Sequence, residues 1–107
     1  MERRSNPRLF CADLVRAEWS DPSGRLRSEV VNLEDISTSG ACVQCEWPVP
    51  LNSEMRIKNG RGQVSAVVRY CVFREIGYFI GLEFKPECQW SPKWFRPRHL
   101  LDPGTLA

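Results

Sequence analysis

What most constrains this chain is its punctuation. Turn signals recur at short intervals: Asp21-Pro22-Ser23-Gly24, then Pro48 and Pro50, then Asn59-Gly60, then Gly77. The segments between them are rich in β-branched and aromatic residues. None before residue 90 has convincing helical periodicity. Leu9 to Trp19 reads as a strand, and Leu26 to Leu33 as its hairpin partner across the Asp21–Gly24 turn. Glu34 to Ser39 reads as a polar loop closed by Gly40. In the next strand, Ala41, Val43 and Cys45 share one face, with Cys42, Gln44 and Glu46 on the other. Glu54 to Lys58, Gln63 to Phe73 and Tyr78 to Phe84 complete a set of six strands. Six short strands joined by tight turns predict an all-β fold, a closed or nearly closed antiparallel barrel.

The tail differs. Ser91-Pro92 is a good helix start, and Pro97 and Pro103 forbid a long helix. One or two helical turns packing Trp94, Phe95, Leu100 and Leu101 onto the barrel are expected. The expected organisation is a flexible basic arm over residues 1–8, a barrel over 9–86, and a tail with short helical turns over 87–107.

The bulk properties narrow the function classes. A chain of 107 residues is one domain by length, and 42% hydrophobic with 26% charged residues is ordinary for a soluble globular protein. The net charge of +2, with lysine scarce, argues against wholesale binding to nucleic acid or to a membrane surface. No apolar run is long enough to span a bilayer, and Met1-Glu2-Arg3-Arg4 does not open a signal peptide, so a cytoplasmic protein is expected. The five cysteines then read as reduced, small buried hydrophobes. Cys42-Val43-Gln44-Cys45 lacks the second ligand pair that a zinc site needs, and its cysteines should face opposite ways, so no metal is expected. No catalytic residues stand out. The single histidine, His99, lies in the proline-rich tail, and no phosphate-cradling glycine loop is present. The four tryptophans read as core.

Two polar motifs carry the chemistry. Arg4 and Arg8 lie in a segment that Pro7 keeps out of a helix, so they belong to an extended arm. Their planar forks match phosphate oxygens and the O6/N7 edge of guanine. Asp35 and Ser37 are two residues apart, so in an extended segment they point the same way while Ile36 faces the core. Gly40 permits a positive φ or a close backbone approach. Each motif alone has an ordinary reading, a solvated terminus for the first and a self-bonded turn for the second. Together they suit an anionic, guanine-containing ligand.

The order RxxxR (Arg4, Arg8), apolar hairpin, DxSxxG (Asp35, Ser37, Gly40) resembles the PilZ domain family. Arg3-Arg4 with Pro7-Arg8, Val67-Val68-Arg69 and Ile80-Gly81-Leu82-Glu83-Phe84 are also similar to that family. The resemblance covers about residues 3 to 85. It implies a six-stranded antiparallel barrel that binds the bacterial second messenger cyclic di-GMP, with no further cofactor. Carried over, Arg4 and Arg8 would grip guanines and phosphates. Asp35 and Ser37 would hydrogen-bond the ligand from the barrel face, and Gly40 would keep its approach clear. Arg3 beside the motif and Arg69 on its strand are additional candidates. The role expected is a receptor or adaptor acting on a downstream protein. The alternatives are a PilZ-like interaction module with weak or no nucleotide binding, and a small barrel that binds single-stranded nucleic acid through Arg3, Arg4 and Arg8.

Overall fold

The computed structural model describes residues 9–60, 62–88 and 100–101. The strands are β1 (Leu9–Ser20), β2 (Leu26–Ile36), β3 (Gly40–Cys45), β4 (Glu54–Asn59), β5 (Gly62–Arg74), β6 (Gly77–Phe84) and the two-residue β7 (Leu100–Leu101). Neighbours pair antiparallel in the order β1–β2–β3–β6–β5–β4, and β4 returns to β1. The six long strands therefore close into a barrel, which leaves no open edge among them.

Alternation decides what faces inward. Val15, Ala17 and Trp19 of β1, Met55 and Ile57 of β4, and Val64, Ala66 and Val68 of β5 all fill the interior, each two residues from the next. Ala41, Val43 and Cys45 do the same on β3, on the face the sequence predicts, while Cys42 stays outside that cluster. Fully burying a Leu, Ile or Met side chain contributes about 1.5–3 kcal/mol, so this interior is the main source of stability.

Three register shifts interrupt the ladders, between Phe10 and Asp13, between Leu33 and Asp35, and between Val68 and Tyr70. An extra residue in one strand changes which face the following residues occupy. Hence Leu33 and Ile36, three apart, both point into the core, and Asp35 between them lies on the opposite face of the strand, still buried. In the same way Val68 and Cys71 face the interior while Tyr70 faces out.

The turns follow their chemistry. Asp21 Oδ1 accepts from the Ser23 and Arg25 backbone N–H groups at 3.0 Å and from the Ser23 hydroxyl at 2.6 Å. Gly24 takes a φ of 85°. These hydrogen bonds, the Ser23 hydroxyl foremost, hold the Asp21 carboxyl below its ordinary pKa.

Three expectations change. The segment Glu34–Ile36, read as loop, is the end of β2: Asp35 pairs with both Phe10 and Cys42, and Ile36 with Leu9 and Ala41. Ladder partners on both sides outweigh the poor strand propensity of Glu and Asp. Leu100 and Leu101, expected in helical turns, instead pair with β1 at Cys11 and Phe10. The rest of the predicted helical tail lies outside the described residues, and a short 3₁₀ turn at Pro86–Cys88 precedes it. Trp47, expected in the core, is exposed. It follows the end of β3, where alternation no longer directs it inward, and the Arg27 guanidinium sits 4.8 Å from its ring centroid. Among the described residues, no helix is long and apolar enough to cross a membrane.

Candidate functional site

Register brings Asp35, Ser37 and Gly40 together where β2 passes into β3. Ser37 to Ser39 form the tight link between β2 and β3, closed by the Ser37 N–H donating to the Gly40 carbonyl at 2.8 Å. The Ser39 carbonyl accepts from the Phe84 N–H at 2.8 Å, which ties the link to the end of β6. Asp35 and Ser37 are the two polar side chains buried among the described residues. Ile36 between them belongs to the core, as predicted. The Ser37 hydroxyl makes long contacts, to the Ser39 N–H at 3.3 Å, to the Ser39 hydroxyl at 3.4 Å and to the Gly40 carbonyl at 3.4 Å. Such bonds orient it without saturating it.

Gly40 has a definite structural reason. A Cβ there would lie 2.3 Å from the Leu82 carbonyl oxygen. The residue therefore serves the close approach of β3 to β6 and needs no positive φ.

Arg69 lies at the β5 register shift. Its Nε donates to the Glu83 carboxylate at 2.6 Å, with a longer contact from Nη1 to Asn52 at 3.4 Å. Glu83 pairs with Gly40 across the sheet, so Arg69 is one side chain removed from the Ser37–Gly40 link. Both partners of this ion pair are more than half exposed, and such pairs contribute little to stability.

Arg3, Arg4 and Arg8 lie outside the described residues. The structure does place the point where their segment enters the barrel. Leu9, the residue after Arg8, pairs with Ile36, and Phe10 pairs with Asp35.

One feature of the site was not legible from motifs. Asp35 pairs with Cys42, Cys42 with Gly81, and Gly81 with Tyr70. These four form a single row across β2, β3, β6 and β5, in which Asp35, Cys42 and Gly81 are buried and Tyr70 is exposed. The first lies in a recognised motif. The others are joined to it only by register, and no spacing in the sequence reports them.

Charge elsewhere is largely paired. Glu18 binds Arg56 and Lys58, each at 3.1 Å, Lys85 binds Glu54 at 3.1 Å, and Arg27 approaches Glu29 at 3.6 Å. The described surface thus shows dispersed ion pairs rather than a basic stripe. Among the described residues, no group of three His, Cys, Asp or Glu side chains is placed to hold a metal. Burial raises the Cys45 thiol above its ordinary pKa, which makes it a poor ligand and a poor nucleophile.

No family model matches the sequence, and no curated protein matches it. Solved structures do match. The PilZ domain of YcgR from Escherichia coli, solved with c-di-GMP, superposes with a TM-score of 0.58 at 13% identity, over 86% of this chain and 82% of that one. The inhibitor of motility MotI/DgrA from Bacillus subtilis superposes with a TM-score of 0.52 at 14% identity, over 79% of this chain and 44% of that one. Identities this low speak to architecture alone. The chain has the six-stranded barrel fold of the PilZ domain.

Proposed function

We propose that this chain is a cyclic di-GMP receptor of bacterial second-messenger signalling, acting in the cytoplasm as a non-catalytic adaptor. One observation carries the reading: β1 begins at Leu9 opposite Ile36, so Arg8 is covalently adjacent to the strand pair that bears Asp35. At no more than about 3.6 Å of chain per residue, Arg4 remains within about 18 Å of Leu9. Both arginines therefore have the reach to close over a ligand held at Asp35 and Ser37. Asp35 accepts from the guanine N1 and N2 donors, and the arginines take phosphate oxygens and guanine edges. Arg3 adds positive charge to the arm, and Arg69 is a second cation near the Ser37–Gly40 link. The solved YcgR domain with c-di-GMP supports the ligand class by likeness of fold. Ordering of the arm on the ligand changes the surface offered to a downstream protein.

Calorimetric titration tests this. Cyclic di-GMP should bind, and Arg4→Ala, Arg8→Ala and Asp35→Ala should each weaken binding by about tenfold or more, as expected for a lost charge-assisted contact of about 1.5–3 kcal/mol. Absence of heat at tens of micromolar ligand would sink the reading. It would favour a PilZ-like interaction module, for which the exposed Phe73 and Ile76 at the β5–β6 turn would be the contact residues.

A further inference from the structure

The barrel has no edge where its six long strands overlap, but β5 outruns that overlap. Glu54, the first residue of β4, pairs with Val67. The chain just before it still bonds to Val68, through the Ser53 carbonyl at 2.9 Å and the Asn52 N–H at 2.8 Å. Past Val68, β5 keeps β6 on one side as far as the Arg74–Gly77 pair. Among the described residues, no strand pairs with the other side of Cys71 to Arg74. Alternation splits this overhang between two faces. Cys71 packs against the core. Phe73 continues the same face past the core, 63% exposed, with its ring 5.1 Å from that of Tyr78. Val72 lies on the opposite face, 42% exposed. Natural sheets blunt such an edge with a charge or a proline. Neither occurs from Tyr70 to Phe73. The next residue, Arg74, carries its guanidinium over the Phe79 ring of its own hairpin, 5.5 Å from the centroid.

We propose that this edge pairs with the same edge of a second copy of the chain, antiparallel, about a two-fold axis at Val72. Val72 is the middle residue of the stretch from Tyr70 to Arg74. In that register Val72 meets its own counterpart, Cys71 meets Phe73, and Arg74 meets the uncharged Tyr70. Cross-strand pairs of β-branched and aromatic residues stabilise a ladder, and no like charges are opposed. A second copy fits this edge better than an acidic or basic partner strand, because the centre of the edge carries no charge to select one. The arrangement also closes on itself: each copy consumes the other's edge, so growth stops at two. Five residues a side fall below a standard interface of about 1,200–2,000 Å², so the dimer is weak and forms with rising concentration. The inference is independent of the ligand reading above.

Sedimentation velocity on the full chain from about 1 to about 300 μM tests it, since a weak interface dissociates in that range. Wild type should pass from monomer to dimer. Val72→Lys sets two ammonium groups against each other at the axis and should weaken association about tenfold or more. Leu14→Lys is the control. It adds the same charge at an exposed apolar position on β1 and should associate as wild type does. Should Val72→Lys fold poorly, amide hydrogen exchange in the wild type replaces it as the readout, and exchange over Cys71 to Arg74 should slow severalfold as concentration rises. A wild type that stays monomeric throughout, or a folded Val72→Lys that associates equally well, would overturn the proposal. So would an equal loss in Leu14→Lys, growth past the dimer, or exchange unmoved by concentration.

Discussion

At the scale of single residues, Gly40 is a motif glycine with a structural reason of its own. The sequence marks it as a motif glycine. The structure shows a Cβ that would meet the Leu82 carbonyl at 2.3 Å. Backbone cannot swing aside as a side chain can, so Gly40→Ala should force β3 from β6 and lower stability by about 1–3 kcal/mol, read from the urea midpoint. A binding defect in that variant is interpretable only beside its stability. What the two-residue spacing of Asp35 and Ser37 made legible is the core position of Ile36 between them. Arg69 was legible as a cation, but its engagement with Glu83 depends on a register shift that the sequence does not announce. Cys45 makes a separate prediction. Its thiol is buried, receives the Trp47 N–H at 3.4 Å, and has a raised pKa. It should resist alkylation in the folded protein and react only in denaturant, as a mass count of modified thiols would show.

At the scale of elements, the β1–β2 turn is held by one carboxylate. Asp21→Ala removes the acceptor for two backbone N–H groups and a hydroxyl, and should lower the melting temperature at neutral pH. The sign of its pH dependence follows from the depressed pKa. The charged carboxylate contributes stability above its ordinary value of 3.8, and that contribution is lost as the pH falls through the lower folded value. The gap between wild type and Asp21→Ala should therefore hold steady from pH 7 to pH 5 (about) and narrow in acid below the ordinary value; parallel melts across pH check it. Turns of this kind were readable because Asp, Pro and Gly act locally. The end of β2 was not. Glu34 and Asp35 look like loop residues, and they are strand because β1 and β3 flank them.

At the scale of the whole molecule, closure is the governing fact. Each of the six long strands has two neighbours, so damage at one interior position is transmitted around the barrel. Met55 is fully buried on β4. Met55→Ala should cost about 2–5 kcal/mol and leave unfolding a single cooperative transition by both fluorescence and circular dichroism. The amino-acid sequence by itself determined the strand class, the turn positions and the inward face of β3. Those follow from side-chain chemistry and a two-residue period, and both are local. Only the tertiary structure decided that β4 returns to β1, that Leu9 pairs with Ile36 beside Asp35, and that Tyr70 is laid on Gly81 in the same row as Asp35. These depend on pairing between segments far apart in the chain and on register shifts that turn whole stretches from one face to the other. A single extra residue in a ladder carries no signature in composition or spacing, yet it decides which side chains meet.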